Sequence, residues 1–271
     1  MQQQRGSASG RPDPDDVRRR SRRAALLAAT EPVRALADAG SLALLSPLLA
    51  GAPRGERHPV LVLPGLLASD LSTVTLRAWL RRLGYAVVGW DLGRNRGPTR
   101  EVVDRLPALV DRLAAEARAP VSIVGWSLGG IFARSLALRS PLQVRQVVTL
   151  GSPFGVGEPG GAPGPGARLY QALSPWHAAD RINPSGRSAV RRPLPVPSTS
   201  VYSRNDGVVD WRACLQQTGP TAENVAVRAS HLGLGTDPAT LWVVADRLAQ
   251  PRGDWRPFSP PTRLRPLFPR D

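Results

Sequence analysis

The sequence predicts an α/β domain with a mostly parallel sheet flanked by helices. From residue 59 onward, short apolar runs alternate with longer segments whose apolar residues recur at helical spacing. This alternation is typical of right-handed βαβ units, which build parallel sheets. The length of 271 residues and the 42% hydrophobic content suffice for one large domain with its own core.

The predicted elements follow one another regularly up to about residue 154. PVLVLPG (from Pro59), YAVVGW, VSIVGW and VRQVVTLGSP predict strands. The segments between them predict helices: DLSTVTLRAWLRRLG with Ser69 or Asp70 as N-cap, TREVVDRLPALVDRLAAEAR kinked or divided at Pro107, and SLGGIFARSLALRS. STSVYS and NVAVRAS then predict two more strands, and DPATLWVVADRLA predicts a closing helix.

Composition divides the chain into four parts. Residues 1–30 are polar and basic and are predicted to be disordered. Residues 31–54 predict a helix beginning near Pro32 and a linker, residues 55–250 form the α/β domain, and residues 251–271 form a Pro/Arg tail with little regular structure. Within the domain, residues 154–197 are rich in Gly and Pro, and a loop of this length is usually functional.

The net charge of +15 does not by itself predict a nucleic-acid partner. All 36 basic residues are arginines, which is typical of a GC-rich genome, and no aromatic and basic stripe suited to stacking bases is present. The single cysteine, Cys214, excludes an intramolecular disulfide, and a cytoplasmic protein is expected. Two alternatives stay open: peripheral membrane contact through the basic N-terminal segment, and export by its weak twin-arginine-like sequence.

The pentapeptide Gly125-Trp126-Ser127-Leu128-Gly129 has the G-x-S-x-G pattern between a predicted strand and a predicted helix. In that context the pattern predicts a nucleophile elbow, a strained turn that exposes the serine hydroxyl. The alternative is a tight strand-to-helix turn with an incidental serine. We therefore predict Ser127 as a nucleophile.

A serine nucleophile needs a base and a carboxylate that orients the base. Of the three histidines, His58 precedes the first strand and is expected to be a surface or turn residue, and His177 lies in the irregular segment. His231 follows the last predicted strand. His231 is therefore the predicted base. Asp206, just after a strand, is preferred as the acid over Asp210, which is expected to cap a helix; Asp206 as a simple turn residue stays open.

Two backbone N–H groups are predicted to bind the oxyanion. Leu128 follows the serine at the start of the helix, and Leu66 lies in the Pro64-Gly65 turn after the first strand. The alternative for that turn is a merely structural role.

These motifs resemble those of bacterial α/β-hydrolases of the lipase/esterase superfamily. The similarity covers about residues 55–250: VLVLPGLLASD, GWSLGG, TLGSPF, YSRNDGVVDW and SHLGLG occur in the order of that superfamily. Pro64 and Trp126 stand where many members carry histidine. The resemblance implies the α/β-hydrolase fold, a lid at residues 154–197 before the acid-bearing strand, and no metal or organic cofactor. It also implies an apolar pocket, with candidate lining residues Leu67, Trp126, Leu169, Tyr170, Leu173 and Trp176.

The expected function is hydrolysis of carboxylic esters, on small-molecule or lipid-like substrates, through an acyl-enzyme on Ser127. The same residues would serve a thioesterase or an acyltransferase. A non-catalytic binding protein with a hydrolase-like fold is a further alternative, although such proteins usually lack a triad member.

Overall fold

A six-stranded parallel sheet forms the centre of the structure, a computed structural model that describes residues 14–154, 165–172 and 192–270. The strand order is β2-β1-β3-β4-β5-β6, and all neighbours are parallel, as the sequence predicts. The strands are β1 (Pro59–Leu63), β2 (Ala86–Val88), β3 (Val121–Trp126), β4 (Val144–Leu150), β5 (Ser198–Ser203) and β6 (Ala222–Val227).

Six α-helices lie in the described ranges of the chain. They are α1 (Pro14–Leu49), α2 (Val74–Arg82), α3 (Arg100–Ala117), α4 (Leu128–Arg139), α5 (Pro165–Ala172) and α6 (Pro238–Ala249). Ser69 caps a short 3₁₀ turn, Asp70–Thr73, that precedes α2. Pro107 lies inside α3 without dividing it, and Asp237 caps α6 through a bond from the Thr240 N–H.

Apolar side chains on both faces of the sheet form two cores. Val60, Val62 and Val124 face a core completed by α2, α6 and the end of α1. Leu61 and Ile123, which alternate with them along the strands, face the second core, formed with α3 and α4. Because both faces of the sheet are covered, β1 and β3 are buried along their whole length rather than at alternate positions.

The N-terminal helix differs most from the prediction. It begins at Pro14 rather than near Pro32, so residues 14–30, predicted to be disordered, are helical; residues 1–13 lie outside the described part. Tertiary contact accounts for part of this difference, because Leu27 packs so closely against the loop after β5 that a Cβ at Gly207 would lie 2.3 Å from Leu27 O. Further along the same helix, Glu31, Arg34 and Asp38 bind loops at the carboxyl edge of the sheet. Among the described residues, no helix has the length and apolar character needed to cross a bilayer.

Two further segments bear on the predicted boundaries. The tail contains a 3₁₀ helix, Thr262–Leu267, and it buries Leu264 and Phe268 in the core formed with α6, so part of it is more ordered than predicted. Within the predicted lid, the structure describes only the first residue, α5 and residues 192–197. The N–H of Gly166, in α5, donates to the carbonyl of Val208 at 3.2 Å.

Candidate active site

Ser127 lies between β3 and α4 in a sharp turn with φ 53° and ψ −120°. Its N–H donates to the carbonyl of Leu150 at 2.8 Å, which ties the turn to β4. Glycines two residues either side make the turn possible: a Cβ at Gly125 would lie 2.4 Å from Gly130 Cα, and one at Gly129 would lie 2.4 Å from Leu63 O. The turn therefore has the strained backbone and close packing of a nucleophile elbow.

Asp206 and His231, the predicted acid and base, are in direct contact. His231 Nδ1 lies 2.6 Å from Asp206 Oδ2, and both side chains are buried. The other carboxylate oxygen, Oδ1, accepts the N–H groups of Val208 at 2.9 Å and Val209 at 2.7 Å. Asp206 is thus fixed as an acceptor, and a neutral His231 that donates from Nδ1 keeps Nε2 free to accept a proton.

Asp210, the rival acid, has a different role. Its Oδ1 accepts the N–H of Arg212 at 3.0 Å and caps the 3₁₀ helix Trp211–Cys214, and its side chain is 39% exposed. The capping function expected for it is therefore what the structure has.

Trp126 links the elbow to the histidine loop. Its indole N–H donates to the carbonyl of His231 at 3.1 Å, and the ring is buried against Gly235. Gly151, just after β4 and with φ 56°, packs against the His231–Asp206 pair: a Cβ there would come within 3.1 Å of His231 Nδ1 and 3.2 Å of Asp206 Oδ2. The residue preceding Ser127 thus touches His231, and only a glycine-sized residue fits behind the His-Asp pair.

Opposing effects set the pKa of His231. Burial lowers it, whereas the charge and hydrogen bond of Asp206 and the charge of Glu31 raise it, and the result is a pKa above the ordinary 6.5. The site therefore stabilises an imidazolium, which is the state a histidine base reaches after taking a proton.

The loop after β1 lies against the serine. A Cβ at Gly65 would be 3.2 Å from Ser127 Cβ and 3.9 Å from its Oγ, so the loop backbone directly adjoins the hydroxyl. Leu128 begins α4, where helix geometry leaves the first N–H groups without intrahelical acceptors. Leu66 follows Gly65 in this loop and is partly buried. The loop and the helix terminus thus meet at the elbow.

Asn95, fully buried, holds the loop after β1 in place. Its Nδ2 donates to the carbonyl of Pro64 at 2.8 Å, and its backbone exchanges hydrogen bonds with Leu67 and Ala68 at 2.6 and 2.7 Å. Asn95 lies in the segment WDLGRNRGP after β2, and the density of polar residues and glycines there is the one sequence signal for a bracing role.

The candidate pocket residues differ in their exposure. Leu67 is 38% exposed in the loop after β1, and Leu169 is 42% exposed on α5, whereas Trp126 is buried. The side chain of Tyr170, together with Leu173, Trp176 and His177, lies outside the described residues.

His58, predicted to be a surface or turn residue, is buried at the start of β1. It contacts Ser122 Oγ through Nε2 at 2.8 Å, and burial, with a smaller effect of Arg145, lowers its pKa to about 4.

Residues of α1 reach the site although no sequence pattern predicts it. Glu31 accepts the N–H of Leu232 at 2.8 Å and that of Gly207 at 3.1 Å, so it contacts the residues that follow His231 and Asp206. A glutamate in a basic helical segment is ordinarily a solvated residue, and only the fold shows its partners.

The order of the sheet, the sharp turn at Ser127 after β3, and the positions of Asp206 after β5 and His231 after β6 are those of the α/β-hydrolase fold. No protein-family model and no curated protein matches the sequence. Several solved structures, however, match the fold.

Lipase B of Aspergillus fumigatus is 16% identical with a TM-score of 0.56; the match covers 74% of this chain and 55% of that lipase. A Bacillus licheniformis lipase in mature form is 17% identical with a TM-score of 0.52, over 74% and 95% of the two chains. One of two metagenome-derived lipolytic enzymes is 15% identical with a TM-score of 0.52, over 73% and 94%. At these identities the likeness establishes the fold.

Proposed function

We propose that this protein is a serine hydrolase that cleaves carboxylic esters through an acyl-enzyme on Ser127. The observation that carries the proposal is the 2.6 Å contact between Asp206 and His231. Trp126, which precedes the strained Ser127, binds the carbonyl of the same His231. A nucleophile elbow, an oriented histidine and a buried carboxylate are the three parts that serine hydrolysis requires.

In the proposed reaction, Ser127 Oγ attacks the ester carbonyl carbon while His231 Nε2 takes the hydroxyl proton. The N–H groups of Leu66 and Leu128 stabilise the oxyanion, and the positive end of α4 adds to their effect. Collapse of the tetrahedral intermediate releases the alcohol, which receives its proton from His231. Water, deprotonated by His231, then attacks the acyl-enzyme; the carboxylic acid leaves as the Ser127 Oγ–acyl bond breaks and His231 returns the proton to Ser127 Oγ.

Exposed leucines beside the proposed catalytic groups support an apolar acyl group. Leu67 follows the oxyanion residue Leu66 and is 38% exposed, and Leu232 follows His231 and is 48% exposed. Exposed aliphatic side chains at this edge of the sheet favour esters of fatty or aromatic acids over charged ones. Leu232 thus joins the candidate substrate-binding residues.

Labelling with a fluorophosphonate, followed by intact-mass measurement and peptide mapping, tests the proposal. We expect one adduct on Ser127, its loss in Ser127→Ala and His231→Ala, and hydrolysis of p-nitrophenyl esters that varies with chain length. Asp206→Asn should lower kcat by about 10⁴-fold, whereas the matched Asp210→Asn should leave it nearly unchanged.

A folded wild-type protein that takes no label would contradict the proposal and favour the binding-protein alternative. Thioester substrates and added alcohols in the same assay distinguish hydrolysis of esters from thioesterase or acyltransferase activity.

A further inference from the structure

Helix α1 turns Glu31, Arg34 and Asp38 toward the loops that carry Asp206 and His231. Glu31 is 3% exposed, and each of its carboxylate oxygens accepts one backbone N–H. Oε1 binds Leu232 N–H at 2.8 Å, and Oε2 binds Gly207 N–H at 3.1 Å. One carboxylate therefore joins the two loops at the positions immediately after the base and the acid.

Two more side chains of α1 bind the positions immediately before them. Arg34 pairs with Glu31 at 2.6 Å, and its Nη1 donates to the carbonyl of Asn205 at 2.6 Å. Asp38 accepts the N–H of Ser230 at 2.9 Å and its hydroxyl at 2.5 Å. Helix α1 thus contacts the chain on both sides of Asp206 and on both sides of His231.

These contacts are costly to lose, because the loops have buried polar groups that need partners. Gly207 is buried, and its Cα lies so close to α1 that a Cβ would be 2.3 Å from Leu27 O. Without Glu31, the N–H of Gly207 would have no acceptor in this buried position, and the observed conformation of the loop would be less stable. The loops would then sample positions in which the acid and the base separate.

We propose that Glu31 is a positioning residue that sets the geometry of the Asp206–His231 pair, with Arg34 and Asp38 as its supports. The catalytic part of this inference rests on the proposed function. Glu31 touches no substrate, and it acts through the backbone of both loops and through its charge near His231.

Native-state amide exchange by NMR tests the structural part on the full chain. In Glu31→Ala, the exchange rates of the Gly207 and Leu232 amides should rise about tenfold or more. Leu49→Ala is the matched control, since Leu49 is buried in the core at the C-terminal end of the same helix, 18 residues from Glu31. It should change the two amides no more than the rest of the domain.

Ester hydrolysis and histidine titration supply the readouts that a merely structural role would not move. Glu31→Ala should lower kcat on the order of 10²-fold with little change in KM. Glu31→Gln keeps one acceptor oxygen, so its kcat should lie between those of Glu31→Ala and the wild type. The imidazole resonance of His231, assigned with His231→Ala, should titrate at lower pH in Glu31→Gln, because the charge that favours the imidazolium is gone.

The outcomes separate this inference from the proposed function. If wild-type protein hydrolyses no ester, the function fails, and amide exchange and titration still decide the role of Glu31. If Glu31→Ala leaves both amides as protected as Leu49→Ala does, and Glu31→Gln does not shift the His231 titration, the positioning role is refuted whatever the activity.

The outward face of α1 carries a second, independent observation. Between residues 32 and 47, the exposed positions hold only apolar or small uncharged residues, and Val33, Leu36 and Leu44 are 70%, 74% and 82% exposed. A surface helix normally shows the opposite pattern, with its apolar face buried. The exposed positions are Pro32, Val33, Leu36, Ala37, Ala39, Gly40, Ala43, Leu44, Ser46 and Pro47.

We propose that this face docks on an anionic membrane surface. Arg19, Arg22 and Arg23 are exposed at the N-terminal end of the same helix, and arginines beside an exposed apolar face match anionic headgroups over acyl chains. Because the opposite face of α1 binds the Asp206 and His231 loops, docking would hold them about one helix diameter, roughly 10 Å, from the bilayer. A lipid-like ester would then be close to the proposed site.

Cosedimentation of the full chain with vesicles tests this docking. We expect binding to phosphatidylcholine vesicles that contain phosphatidylglycerol, weaker binding to phosphatidylcholine alone, and loss of binding in the double variant Leu36→Ser, Leu44→Ser. The control is Leu71→Ser, Leu142→Ser, since each of these leucines is 82% exposed elsewhere on the surface. Equal binding of both double variants, no binding of wild type, or a wild-type dimer that the α1 variant abolishes would each overturn the proposal.

Discussion

The backbone of Ser127 stores strain that a single substitution can measure. At φ 53° and ψ −120° the residue lies where side chains with a Cβ are disfavoured, at a cost of about 1–3 kcal/mol. Alanine keeps the Cβ and the strain, whereas glycine removes both. Elsewhere, alanine to glycine lowers the free energy of unfolding by about 0.5–1 kcal/mol, because the unfolded chain gains freedom. By difference of the midpoints, Ser127→Gly should be more stable than Ser127→Ala by about 1 kcal/mol.

Urea unfolding of both variants, followed by tryptophan fluorescence, measures the difference. Ala78→Gly is the matched control, since Ala78 is exposed in the middle of α2 and should lose about 1 kcal/mol. Both Ser127 variants should lack hydrolytic activity under the proposed function, so stability would rise as activity disappears. A Ser127→Gly variant that is less stable than Ser127→Ala, by as much as the control is below wild type, would refute the strained elbow.

Three further predictions concern the supports of the site and the core. Asn95→Ala should lower kcat on the order of 10²-fold, because the loop that supplies the Leu66 N–H loses its brace; Asn95→Asp, which keeps the acceptor for Gly97 but cannot donate to Pro64, should fall nearly as far, and full activity in both variants would contradict bracing. Trp126→Phe should lower kcat about tenfold with KM unchanged, since it loses one hydrogen bond to His231; a rise in KM alone would instead support the pocket role. For His58, the folded pKa of about 4 lies below the ordinary 6.5, so its contribution to stability is complete above pH 6.5 and decreases, by about 3 kcal/mol in all, as the pH falls through 6.5 toward 4. Urea unfolding at several pH values should show a smaller decrease in His58→Gln, and parallel curves would contradict the assignment.

The sequence sufficed for the residues that local patterns mark. Ser127 could be predicted because a strained turn between a strand and a helix requires small residues on both sides of the nucleophile. His231 and Asp206 could be predicted because loops after parallel strands meet at one edge of the sheet, which reduces three histidines and two aspartates to one pair. The roles of these residues in catalysis stay predictions until labelling and kinetics test them.

The supports of the site could not be predicted, because they depend on contacts distant in sequence. Glu31 lies 176 residues from Gly207 and 201 residues from Leu232. Glu31, Arg34 and Asp38 recur at helical spacing in a basic segment, a pattern that ordinarily indicates a solvated face. The fold turns that charged face inward and leaves the apolar face exposed. The hydrophobic pattern alone would therefore predict the wrong orientation of the helix.

The two kinds of support should also act independently of each other. Asn95 holds the loop after β1, whereas Glu31 and Asp38 both hold the segment from Ser230 to Leu232. Residues without shared partners have additive effects on unfolding free energy within about 0.5 kcal/mol, whereas residues that hold one segment couple by more.

Urea unfolding should therefore show Asn95→Ala and Glu31→Ala to be additive. Glu31→Ala with Asp38→Ala should cost less than the sum of the single changes, because the first substitution already frees the segment that the second would release. If Asn95→Ala and Glu31→Ala were as far from additive as Glu31→Ala and Asp38→Ala, one cooperative unit would span the whole site. The assignment of separate supports to the oxyanion loop and to the Asp206–His231 pair would then be refuted.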